Sequence, residues 1–60
     1  MTSLSLPELE RVYDDLAEAI DHAGPERSEL FLTKLALLLA HEVGQRARVA
    51  ELVQTALRDL

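Results

Sequence analysis

Apolar residues recur along this chain at spacings of three and four in three separate stretches, and Gly24-Pro25 and Gly44 interrupt the pattern. The first stretch carries Leu6, Leu9, Val12, Tyr13, Leu16, Ala17 and Ile20 on one face of a 3.6-residue turn. Glu10, Arg11, Asp14, Asp15, Glu18, Asp21 and His22 occupy the other face. The third stretch carries Val49, Leu52, Val53, Ala56, Leu57 and Leu60, with Ala50 at the edge of the stripe. Arg48, Glu51, Thr55, Arg58 and Asp59 face out. Both read as amphipathic helices with one apolar side.

The middle stretch is different. Leu30 to Val43 is the most apolar run in the chain. On a helical projection Leu38, Phe31, Leu35, Leu39, Leu32, Val43 and Ala36 fill one arc of roughly 160°, wide enough for two neighbouring helices. Glu29, Thr33, Lys34 and His41 lie on the other side. Leu30 and Leu37, seven residues apart, stack on one stripe among those polar residues. A lone three-helix fold would bury the arc containing Leu32, Leu35 and Leu39 and leave Leu30 and Leu37 wet. Such a stripe is a candidate contact surface.

The punctuation sets the boundaries. Ser5-Leu6-Pro7-Glu8 reads as a capping box with proline in the first turn. Gly24 is expected to close the first helix in the left-handed conformation, and Pro25 to open the second. Gly44 is the second left-handed cap. The expectation is an all-α chain forming one domain over residues 1–60, with helices at about 6–23, 26–43 and 46–60. The short connection predicts an antiparallel helical hairpin plus a third helix, with the second helix central.

Length changes the picture. A 60-residue domain hides only about 60% of the surface its unfolded chain exposes, so its stability is marginal. Small domains supplement the core with disulfides, a metal or a partner subunit. The chain has no cysteine, which excludes disulfides and thiolate metal sites and makes a partner subunit the natural supplement. A dimeric helical bundle is therefore expected, with Leu30, Leu37, Phe31, Lys34, Leu38 and His41 at the interface.

Charge narrows the partners. A net charge of −5 disfavours nucleic acid and anionic membranes, since affinity for phosphate comes largely from Lys and Arg. No apolar run approaches the length that spans a bilayer. No basic region followed by an apolar core opens the chain, so no signal peptide is expected. A cytoplasmic location is expected, with which the lack of cysteine is compatible.

Candidate chemistry is sparse. Asp14, Asp15, Glu18, Asp21 and His22 form the densest ionisable group. A hard metal on Asp15, Glu18 and His22 is conceivable, but a solvated acidic face is the plainer reading. His41-Glu42 opens like a zinc-protease motif, yet position 45 is Gln, so the second histidine is missing. His41 reads as a C-terminal residue favoured by the helix dipole, or as a pH-sensitive group at a subunit contact beside Lys34. Ser3, Ser5 and Ser28 lack a histidine at any recognisable spacing. No glycine-rich phosphate loop occurs, and so short a chain has little room for a pocket. No catalysis, cofactor or metal is expected.

Two alternatives stand beside self-association. Leu39-Ala40-x-x-x-Gly44 followed by a helix looks like part of a helix-turn-helix, which would put Gln45, Arg46 and Arg48 at the start of a DNA-recognition helix. The other is an accessory subunit that binds a larger protein through the Leu30/Leu37 stripe. Tyr13-x-x-Leu16, Leu35 to Ala40 and Gly44 resemble a family of small bacterial proteins classified as a domain of unknown function. The resemblance covers roughly residues 9 to 56. The family pattern places an Asn-His pair before Ile-Gly, where this chain has His41-Glu42 and Val43-Gly44, a departure that bears on any role for the family histidine. Such proteins are often encoded beside flavin-dependent or aromatic-degrading oxygenases, so the resemblance implies an accessory role to a bacterial oxidoreductase.

Overall fold

The computed structural model describes residues 3–58 and 60. It contains three helices in order, α1 (Leu6–Ala23), α2 (Ser28–Val43) and α3 (Arg46–Arg58), and no strand among the described residues. The all-α, three-helix architecture is thus the observed one. The expected end of the third helix at residue 60 is not reached: α3 stops at Arg58, Leu60 lies beyond it, and Asp59 is outside the described residues.

The start of α1 follows from its sequence. The backbone N–H of Glu8 donates to Ser5 Oγ at 3.3 Å, and the backbone N–H of Ser5 donates to Glu8 Oε1 at 3.2 Å. This reciprocal box satisfies two donors that a helix start leaves free. At the other end the Gly24 N–H donates to the Ile20 carbonyl at 3.0 Å.

Gly24 departs from the expected left-handed cap. Its φ of 82° is positive, but its ψ is 163°. The cause is Pro25, whose ring crowds the preceding residue and drives its ψ to extended values. Positive φ with extended ψ is open to glycine almost alone. Pro25 in turn does not begin a helix. It sits inside a turn closed by the Arg27 N–H on the Gly24 carbonyl at 3.1 Å, a position that suits its fixed φ. Helix α2 therefore starts at Ser28 and not at residue 26, and no side chain caps it. Gly44 is the left-handed cap expected, at φ 75° and ψ 9°, with its N–H on the Ala40 carbonyl at 3.0 Å.

The helices meet only where the chain turns. Half-buried residues cluster at two junctions: Leu16, Ala19, Ile20 and Ala23 with Ser28, Phe31 and Leu35, and Ala40 and Val43 with Val49. Helices α1 and α3 do not touch, and close approaches between residues twelve or more apart scarcely occur. The antiparallel hairpin expected from the short connection is thus held at its turn and open beyond it. A full-length hairpin would continue the line Phe31, Leu35, Leu38 to Glu42, laying the start of α1 over a carboxylate. Burying an unpaired charge is strongly unfavourable.

The splayed arrangement shows in the dimensions. The chain spans 31 × 25 × 23 Å, whereas helices packed side by side with axes about 8–10 Å apart would be narrower in two directions. Its accessible surface is 5878 Å². A compact monomer of 6.7 kDa is expected to expose only about 3,900 Å². No described residue is fully buried, and neither is any part of the arc on α2. Leu35 is half-buried as expected, but Leu32 is 41% exposed and Leu39 56%.

The two glycines have different backbones, and substitution reads the difference. A Cβ on Gly24 meets nothing within 4 Å, and one on Gly44 only the His41 carbonyl at 4.0 Å, so the penalty at each is purely conformational. Gly44→Ala is expected to destabilise the helical state by about 1–2 kcal/mol, the left-handed penalty. Gly24→Ala should destabilise it more, up to about 3 kcal/mol, because its ψ is outside the left-handed well. Ser5→Ala should remove about 1 kcal/mol. Thermal unfolding followed by circular dichroism ranks the three, and a milder Gly24→Ala than Gly44→Ala would contradict the turn described above.

Candidate functional site

The most distinctive surface of the molecule is its uncovered apolar side chains. On α2 Leu30 is 60% exposed, Leu37 68% and Leu38 66%. They join Lys34 and His41, both exposed, in one arc of about 100° on the helix, which is the strip expected at an interface. Phe31, the sixth residue of that strip, is only half free. It lies at the α1 junction, where it borders a shallow depression with Ala19, Ala23 and His22. It is partly covered within the chain, so its share of any outer contact is smaller than its neighbours'.

The strip is half of the picture. Leu32 and Leu39, also seven apart, lie about 160° round the helix from Leu30 and Leu37, and they too are exposed. The arc alone does not reveal this, because a periodic pattern marks a face without showing what covers it. Apolar surface therefore flanks α2 on opposite sides. It continues over the first half of α1, where Leu9 is half exposed and Tyr13 stands out further, and over the second half of α3 at Val53 and Leu57.

The polar side-chain contacts seen among the described residues are exposed. Arg48 Nη1 lies 3.3 Å from Glu51 Oε1 one turn on, with both side chains more than half exposed. Such a pair contributes little. Thr33 and Thr55 donate back to the carbonyls of Glu29 and Glu51 at 2.9 and 3.0 Å, and Arg58 Nη2 donates to Thr55 Oγ1 at 3.1 Å. Asp14, Asp15, Glu18, Asp21 and His22 are all exposed, with Asp15, Glu18 and His22 bordering the depression beside Phe31. Among the described residues, no three acidic or histidine side chains converge as metal ligands would.

The α2–α3 junction holds the residues of the helix-turn-helix alternative. Gln45 and Arg46 line a shallow depression with Leu37, Ala40, His41, Gly44 and Val49. Arg46 and Arg48 are exposed at the start of α3, and Arg48 is already paired to Glu51. Among the described residues, no helix is long and apolar enough to cross a membrane. Comparison with known protein families, with curated proteins and with solved structures finds no match to this chain.

Proposed function

We propose that the protein is a self-associating helical interaction module without catalysis of its own, acting in the cytoplasm as a homodimer. The supporting observation is the set of leucines that α2 leaves exposed. Burying one leucine is worth roughly 1.5–3 kcal/mol. Leu30 and Leu37 from two copies therefore supply roughly 6–12 kcal/mol, against association costs of about 4–15 kcal/mol. That pair alone is marginal. Leu38 and Leu39, and to a smaller extent Leu32, add exposed apolar surface that tips the balance toward a stable complex.

Service as an accessory subunit of a larger enzyme, including a bacterial oxidoreductase, uses the same surface and is the second form of this reading. The DNA-binding alternative finds less support. Its cations number two at the start of α3, one is already paired, and the chain carries a net charge of −5.

Sedimentation equilibrium in the micromolar range is expected to return twice the chain mass of 6.7 kDa. Replacing Leu30 and Leu37 together by Glu should split the dimer, while Asp14→Ser with Asp21→Ser should leave it intact. A wild-type chain that sediments at 6.7 kDa throughout removes the proposal. In a gel-shift titration at low salt the wild-type chain should leave duplex DNA unretarded; retardation lost in Arg46→Ala and Arg48→Ala would favour the helix-turn-helix reading instead.

A further inference from the structure

We infer that the second copy does not dock on a finished monomer but interlocks with it, each copy's α1 and α3 arms covering the other's α2, so that the chain folds only as it associates. The inference rests on the self-association proposed above and specifies its form.

Three observations carry it. First, cover within one chain is limited to the turns. The first half of α1 and the second half of α3 project away from α2 with their apolar faces bare, at Leu9 and Tyr13 on one arm and Val53 and Leu57 on the other. Second, α2 is apolar on opposite sides, with Leu30 and Leu37 on one and Leu32 and Leu39 on the other. A helix apolar nearly all round is stable in water only when it is surrounded. A single partner helix laid on one side would leave the other wet, so two partner elements are needed. The bare arms of a second copy are two such elements, and a two-fold axis makes the exchange reciprocal.

Third, the area agrees. The chain exposes 5878 Å², about 2,000 Å² more than a compact monomer of its mass. Two copies that hid this excess would bury about 4,000 Å² in total, within the range of obligate dimers and beyond that of pre-folded partners that merely dock. Chains joined by such an interface commonly have no stable folded monomer.

The test uses the full chain and two variants on the arms, Leu9→Glu and Leu57→Lys. Each places at its helix end the charge that the helix dipole favours, so on a free arm neither harms the helix. Circular dichroism melts over a wide concentration range, with sedimentation at the same concentrations, are expected to show helix and dimer lost together on dilution. Each variant should raise the dissociation constant roughly a hundredfold or more, because two leucine burials are lost per dimer. A dimer that dilutes into chains of unchanged helicity overturns the interlocked form while leaving self-association standing. So does a dimer split by glutamates at Leu30 and Leu37 but unaffected by Leu9→Glu and Leu57→Lys. A wild type that stays at 6.7 kDa at every concentration overturns both and assigns the bare faces to a different polypeptide.

Discussion

A helix that is apolar on nearly every side needs neighbours on every side, and this chain gives α2 neighbours only at its two ends. The other features follow from that shortage. Leu16, Ile20, Phe31 and Leu35 are half-buried at the first junction, and Ala40, Val43 and Val49 at the second. Between these junctions α2 has little internal cover, because α1 and α3 approach it only near the turns. So short a chain with so little internal cover has little stability of its own. Conformational entropy opposes folding at every residue, and half-buried side chains return only part of the available burial energy.

The turns decide the direction of departure, and there the sequence is only partly legible. Ser5 and Glu8 mark the start of α1 and Gly44 the end of α2, because each acts through hydrogen bonds or a dihedral preference local to itself. Gly24-Pro25 is legible as a break but not as a geometry. Two local preferences meet on Gly24: a helix end favours the left-handed well, and a following proline favours extended ψ. The proline prevails, and α2 starts two residues later than the start at residue 26 expected with Pro25 opening the helix. An open hairpin is also beyond the reach of helical projection, which treats each helix separately. Glu42 on the line of Phe31 and Leu35 is the residue that carries the information.

The candidate surface divides in the same way. Leu30 and Leu37 stand out because apolar residues among polar ones are conspicuous. Leu32 and Leu39 do not, because they belong to a well-formed apolar arc, and such an arc ordinarily has something against it. Tyr13 and Leu57 are hidden from sequence reading for the same reason. What separates a core residue from an uncovered one here is the path of the backbone through the turns at Gly24-Pro25 and Gly44, some distance from the residues it leaves bare.

The acidic side of α1 acquires a second meaning in this setting. Leucine-rich faces open on both sides of one helix are, in a neutral protein, an invitation to unlimited clumping. Asp14, Asp15, Glu18 and Asp21 are all exposed on the same molecule, and the chain as a whole carries −5. Every copy added to a growing cluster brings the same charge, so mutual repulsion rises with size while the apolar surface left to hide runs out. In the proposed self-association, the charge on the outer face of α1 would act as a brake on growth, favouring small closed assemblies over open-ended ones. The brake weakens as the solution approaches the isoelectric point near pH 4.7 and the repulsion vanishes.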